Sequence, residues 1–275
     1  MKFKNNAARI TVSVIAIPLI LAACYFGKIY FLVFSGLVAL AAFNEFGKMV
    51  KHKPAEVNFF LGHIFVILIM LNSYFNFIEN MFAVFAAYVV LLSIFELFRH
   101  KGSAINNIGA TLLSSLYIGL FTAALVAIRQ NTAFESDYSK GGLLIISMFA
   151  SIWACDSAAY YFGSAFGKHK LFPRVSPNKS WEGSIAGFIF AIVMMIAAKT
   201  IVLDISWAGV IIIGLITGIF GQVGDLIESL FKRDAKVKDS SHMIPGHGGI
   251  FDRFDSILFS APLVYLYLQF FEKMI

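Results

Sequence analysis

Long apolar runs decide what this chain can become. Nine of them, at residues 10–26, 30–47, 59–77, 81–98, 108–128, 143–162, 183–203, 207–226 and 257–271, follow one another with short polar breaks. About 20 mostly apolar residues cross the hydrocarbon core of a bilayer as an α-helix. No barrel-like alternation accompanies them, so helix is the form in which their backbones are satisfied in lipid. The last run is short for a span, and its helix is expected to begin nearer Phe251. The expected fold is all-α: a polytopic integral membrane helical bundle of about nine transmembrane helices, one membrane domain over residues 1–275. No internal repeat is visible.

Composition agrees. Only 14% of residues are charged, against about 25% in an ordinary soluble domain. The net charge of +6 raises nucleic acid or anionic lipid as partners. The charges sit in short loops between apolar runs, so no nucleic-acid partner is expected. Cys24 and Cys155 both lie inside apolar runs, which gives neither a disulfide framework nor metal spacing. Leu21-Ala22-Ala23-Cys24 has the look of a lipoprotein cleavage box after a basic start. Because the sequence that follows is itself membrane-embedded, the first run is read as a spanning helix.

Nine spans divide the loops into two sets. Seventeen of the 22 Lys and Arg fall on the side that carries the residues around 48–53, 99–101, 168–179 and 232–253. Positive residues mark the cytoplasmic side, which places the two richest polar loops in the cytoplasm and the C-terminus outside. The compact length points to a bacterial inner (plasma) membrane. Asn44, Glu45, His63, Asn72 and Glu96 are isolated polar residues of the early helices. Glu45 and Glu96 lie near basic loops and are read as pairing or snorkelling groups without chemistry. The steps Gly183/Gly187 and Gly214/Gly218/Gly221 are read as helix-packing positions.

Two polar stretches carry chemistry. The first is 153–183. Asp156 falls well inside the sixth apolar run, where a carboxylate needs a partner, a cation or water. Gly163 and Gly167-Lys168 are separated by three residues where a P-loop has four, and His169 stands where Ser or Thr is required. A Walker site is rejected. Glycines that let backbone N–H groups approach phosphate, with charge from Lys168, Lys170 or Lys179, are retained. The run from Ser176 to Ser180 opens the seventh helix, with Ser180 as N-cap.

The second stretch, 222–255, holds five aspartates, one glutamate, five Lys or Arg and two histidines. Asp225, Glu228 and Lys232 share a helix face, and Asp252 and Asp255 are likewise three apart. Between them lies a loop with Pro245-Gly246-His247-Gly248-Gly249. Carboxylates on two helix ends facing a basic, Gly-rich loop fit a hard cation that also takes phosphate oxygens, as Mg²⁺ does. Zinc fits less well, because His242 and His247 have no third nitrogen or sulfur ligand nearby.

Together these stretches resemble the phosphatidate cytidylyltransferase (CDP-diacylglycerol synthase) family. The resemblance is carried by Ser229 to Asp255, with its Lys232-Arg233, Lys238-Asp239 and Pro245-to-Asp255 segments, by Gln222 to Ser229, and by Asp156 to Gly183. Ser240-Ser241 stands where some members carry a glycine. Residues 1–130 match only in character, so the catalytic part is expected within 150–275.

The resemblance implies that phosphatidic acid and CTP give CDP-diacylglycerol and pyrophosphate. Catalytic residues are then expected at Asp225, Lys232, Asp252 and Asp255, with Mg²⁺, and room for a second cation, held by Asp225, Asp252 and Asp255. Substrate contacts are expected from Asp156, Lys168, Ser176, Lys179, Arg233, Lys238, Asp239, His247, Gly248, Gly249 and Arg253, with His247 positioning rather than catalysing. Expected partners are CTP, phosphatidic acid and membrane lipid, with a homodimer as a further expectation. Among rival readings, a CDP-alcohol phosphotransferase lacks its DG-x-x-AR run in this sequence. A transporter lined by Asp156 and Asp225 lacks repeat symmetry.

Overall fold

The computed structural model describes residues 2–131, 138–244 and 248–271, with side chains described from Thr11 onward. Among the described residues there are nine α-helices: α1 (Lys2–Phe26), α2 (Lys28–Val50), α3 (Phe59–Phe75), α4 (Met81–Arg99), α5 (Ala104–Arg129), α6 (Ser139–Phe166), α7 (Trp181–Ile201), α8 (Trp207–Asp234) and α9 (Phe251–Phe271). Seven are long and apolar enough to cross a membrane, while Thr11–Phe26 and the 17-residue α3 are shorter. Seventeen residues span about 25 Å at 1.5 Å per residue, the lower end of what crosses a bilayer.

Local sequence sets the helix ends. Asn58, Asn80, Ser103, Ser180 and Ser206 each accept a hydrogen bond from a backbone N–H in the first turn of the helix they precede. The helices outrun the apolar runs where charge begins. Helix α8 continues to Asp234, so Asp225, Glu228, Lys232 and Arg233 all ride on one helix. Helix α9 starts at Phe251, as its short apolar run required.

The all-α bundle expected from the sequence is what the described residues form, with one small addition. Lys170–Phe172 (β1) and Ser176–Ser180 (β2) form an antiparallel hairpin between α6 and α7. Strands this short show no alternation long enough to be read. The Glu182 carboxylate accepts from the backbone N–H groups of Lys168 and His169 and bonds the His169 ring at 2.6 Å, which pins the hairpin to the first turn of α7. Helices α6 and α7 cross closely above it. A Cβ at Gly183 would lie 2.6 Å from the Ala159 carbonyl, so only glycine allows this approach.

Side-chain contacts sort the loops onto two faces. On one, Lys53 bonds Asp234 at 2.7 Å, Arg99 bonds Glu56, and Arg233 Nε donates to the Val175 carbonyl at 3.3 Å. These bonds link the α2–α3 loop, the end of α4, the hairpin and the end of α8. On the other face Arg129 donates to the Cys24, Tyr25 and Tyr138 carbonyls. There Lys140 bonds Asp204 at 2.9 Å and holds that carboxyl below its usual range. This partition matches the one drawn from the Lys and Arg count. Helix α5 packs against α2, α3 and α9, while α4 lies outermost against α5 and α3. Glu96 is buried beside Arg99 and Asn107.

Candidate active site

The charged faces of α8 and α9 meet at the end of the bundle that carries the hairpin. The two helices close up because Gly224 of α8 has no side chain: a Cβ there would lie 2.8 Å from the Asp255 carbonyl. That approach brings ligand atoms of Asp225, Glu228 and Asp255 within 4.8 Å of one another. Asp225 is half-buried and the other two are buried. Glu228 is 0% exposed, and neither of its oxygens receives a hydrogen bond of acceptable geometry, although the Lys232 ammonium is within ion-pair reach.

A buried carboxylate whose charge is met by one ammonium that it shares with Asp252 is costly. A cation beside it removes that cost, and three carboxylates are a hard-cation donor set. The described residues therefore fit a divalent ion at this position.

Asp252 is not one of these three converging residues, although its carboxyl touches that of Glu228. Its Oδ1 accepts from Lys232 at 2.8 Å, and its Oδ2 accepts from Gly249 N at 2.7 Å and from Ser240 N and Oγ, each at 3.0 Å. The expectation of Asp225, Asp252 and Asp255 as one ligand set thus meets a different geometry, with Glu228 in the position assigned to Asp252. The reason is local. Asp252 lies in the first turn of α9, and the loop before it brings Gly249 N and Ser240 N and Oγ to its carboxylate, turning it toward the loop. Lys232 is shared between Glu228 and Asp252 and is fixed by both.

The other polar stretch joins this centre directly. Lys179, at the end of β2, bonds Asp225 at 2.6 Å. Asp156 on α6 lies in the fields of Asp225, Lys179 and Arg253. It is exposed although it stands ten residues from the end of α6, about 15 Å along the axis. A carboxylate at that depth needs a partner, a cation or water, and Lys179 and Arg253 are the positive charges that reach it.

Around this core stand basic side chains. Lys168, Arg233, Lys238 and Arg253 are all exposed. Arg233 also donates to the Val175 and Val237 carbonyls. Ser176 pairs with Phe172 across the hairpin. Asp239 is half-buried beside Gly248.

The glycines of the loop have a packing role. Gly248 adopts φ +83°, and a Cβ there would meet Asp252 Oδ2 at 2.6 Å. One at Gly249 would collide with both Ser240 Oγ and Glu45 Oε2. His247, expected to touch substrate, lies with Pro245 and Gly246 outside the described residues.

The sequence profile of the Cytidylyltransferase family matches residues 7–271. This chain belongs to that family. It is 33% identical over 271 residues to the phosphatidate cytidylyltransferase of Bacillus subtilis (strain 168), covering 96% of this chain and 98% of that protein. It is 34% identical over 265 residues to the protein of the same name from Staphylococcus saprophyticus subsp. saprophyticus, covering 94% and 98%. With the phosphatidate cytidylyltransferase of Haemophilus influenzae it shares 44% identity over 156 residues, 55% of this chain and 54% of that one. The family match extends across the first five helices, which in the sequence alone looked generic.

Proposed function

We propose that this member of the cytidylyltransferase family transfers the cytidylyl group of CTP to phosphatidic acid, giving CDP-diacylglycerol and pyrophosphate. The observation that carries the reading is the convergence of Asp225, Glu228 and Asp255 beside Lys232 and Lys179, at the end of a membrane bundle. Family membership supplies the nucleotide, and the relatives' names supply the lipid.

The reaction joins two polyanions. A phosphate oxygen of the lipid attacks the α-phosphorus of CTP, a new P–O bond forms, and the bond to the β-phosphate oxygen breaks as pyrophosphate departs. Phosphatidate is already ionised near neutral pH, so no strong base is needed. Asp225, Glu228 and Asp255 would hold Mg²⁺, which neutralises triphosphate charge and polarises phosphoryl oxygens when bound. Lys232 is held rigid between two carboxylates and presents a fixed positive charge. Such preorganised charge costs no rearrangement as the transition state forms. Arg233, Lys238, Arg253 and Lys168 line the aqueous rim and hold phosphate oxygens of the nucleotide. Asp252 keeps Lys232 and the loop in place. Asp156 faces the cleft through which the lipid headgroup enters from the side, with Lys179 poised between it and Asp225.

The site faces the cytoplasm of a bacterial plasma membrane in this reading, supported by the Lys and Arg bias. A cysteine placed at Lys238 and labelled by an impermeant maleimide only in inverted vesicles supports that orientation; labelling in intact cells opposes it. The activity itself is tested with purified protein, Mg²⁺, phosphatidic acid and CTP labelled at the α-phosphate. Label is expected to enter lipid with CTP and not with UTP. No transfer of label to lipid would overturn the reading.

A further inference from the structure

Glu45 lies in α2, far in sequence from every residue of the site, yet it is 1% exposed and reaches the site's supporting loop. Its Oε1 accepts from Ser241 Oγ at 2.6 Å and from Ile250 N at 2.9 Å. Its Oε2 accepts from Ser240 Oγ at 2.9 Å and from Phe251 N at 2.8 Å. All four of these partners are neutral donors. A carboxylate accepting from two backbone N–H groups at a helix start completes the N-terminus of that helix and complements its dipole.

We infer that Glu45 is a positioning residue for the transfer reaction: it clamps the 240–241 segment to the first turn of α9 and so sets where Asp252 and Asp255 stand against Asp225, Glu228 and Lys232. The inference rests on the function proposed above. Three features carry it. Ser240 Oγ lies 2.9 Å from Glu45 Oε2 and 3.0 Å from Asp252 Oδ2, so its single proton is shared between the two carboxylates and links them. Glycine at 249 lets the clamp close, because a Cβ there would push Ser240 Oγ and Glu45 Oε2 out of their present places. Phe251, whose N–H Glu45 receives, is fully buried against Phe46 and Tyr117, so the first turn of α9 cannot shift without disturbing the core.

Glutamine is the informative substitution. All four groups around Glu45 donate, so an amide must turn its own NH₂ toward a hydroxyl and a backbone N–H. The hydroxyl can rotate and accept; the N–H cannot, and is left unpaired. Glu45→Gln therefore loosens the start of α9 while keeping size and shape.

The test uses the full-length protein in detergent. Mn²⁺ binding is measured by electron paramagnetic resonance without substrates, hydrogen exchange is followed over 238–256, and kcat and KM are measured with Mg²⁺. For Glu45→Gln the expected results are about tenfold weaker Mn²⁺ binding, faster exchange at Ile250 and Phe251, and kcat lower by about tenfold, from one unpaired buried donor. KM for phosphatidic acid should stay within about twofold. Ser241→Ala, which removes one donor and keeps the carboxylate, should shift Mn²⁺ binding in the same direction and by less, and it serves if the glutamine variant does not fold. Wild-type Mn²⁺ affinity and exchange in a folded variant would overturn the inference. If the unaltered protein binds Mn²⁺ but transfers no label from CTP, the proposed function fails while the clamp is still judged on binding and exchange.

Discussion

Lys179 Nζ lies 2.6 Å from Asp225 Oδ2, and this bond joins the hairpin between α6 and α7 to the carboxylate cluster of α8. Both side chains keep part of their surface, 26% and 33%. A pair so exposed contributes about 0–1 kcal/mol to stability. Its importance is to hold an ammonium beside a carboxylate at the point where two phosphates must meet. Lys179→Ala is expected to leave thermal unfolding nearly unchanged and to lower kcat/KM by about tenfold, or about 1.4 kcal/mol of transition-state stabilisation. The exchange Lys179→Asp with Asp225→Lys restores the ion pair and should not restore turnover, because it removes a carboxylate from the cluster. Recovery of activity in the double variant would show that the bond matters only for folding.

Glu228 and Asp252 separate metal binding from support. Glu228→Gln removes one member of the cluster and leaves Lys232 its bond to Asp252. The Mg²⁺ concentration for half-maximal rate should rise by at least about tenfold, with little loss of stability, since Lys232 keeps its ion pair with Asp252 and a buried charge is removed. Asp252→Asn weakens the hold on Lys232, Gly249 and Ser240 together. Breaking a buried ion pair costs about 3–5 kcal/mol, so this variant should unfold at clearly lower temperature. Metal titrations of rate and thermal melts, run on both, check the contrast. If Asp252→Asn shifts the Mg²⁺ requirement more than Glu228→Gln does, Asp252 is a ligand and the two carboxylates do not divide their roles in this way.

Much of this was legible in the sequence because it is local. Helix positions follow from apolar runs, and the shared face of Asp225, Glu228 and Lys232 follows from their spacing on α8. The loop faces follow from where Lys and Arg fall. Three things were hidden, each for a physical reason. The hairpin is too short to show a period. Asp252 and Asp255 share a helical face by spacing, but spacing does not register the donors, Gly249 N and Ser240, that the folded loop brings to Asp252. Glu45 resembles any acidic residue near the end of a spanning helix, and its partners, Ser240, Ser241, Ile250 and Phe251, are brought to it only by tertiary packing.

Gly248 and Gly249 should be the least replaceable residues of the loop. Alanine at 249 would drive its Cβ into Ser240 Oγ, and alanine at 248 would combine φ +83° with a 2.6 Å contact to Asp252. Each is expected to lower activity by at least about tenfold: at 248 because strained backbone costs about 1–3 kcal/mol, and at 249 because the new methyl displaces Ser240 and Glu45 from the contacts that hold the loop. Gly36 in α2 is the control: a Cβ there meets nothing within 4 Å, and alanine within a helix is favoured over glycine by roughly 0.5–1 kcal/mol. Gly36→Ala should match or exceed the unaltered protein in thermal stability and keep full turnover. Equal behaviour of the three variants would mean that the loop tolerates displacement and does not set the site.

Arg129 tests whether the opposite face is stabilising without being catalytic. It is 2% exposed, stacks 3.8 Å over the Tyr138 ring, and donates to the Cys24, Tyr25 and Tyr138 carbonyls. One planar guanidinium thereby ties α1, α5 and the start of α6. Lysine keeps the charge but loses the fork, so at most part of this set can be reached. Each hydrogen bond from a charged donor contributes about 1.5–3 kcal/mol. Arg129→Lys should therefore cost about 3 kcal/mol and lower the unfolding temperature by roughly 6–12 °C. Its Mn²⁺ affinity and its turnover per folded molecule at low temperature should equal those of the unaltered protein, since its bonding partners all lie on the face away from the hairpin. A loss of metal affinity in this variant would reveal coupling between the two faces that no contact among the described residues accounts for.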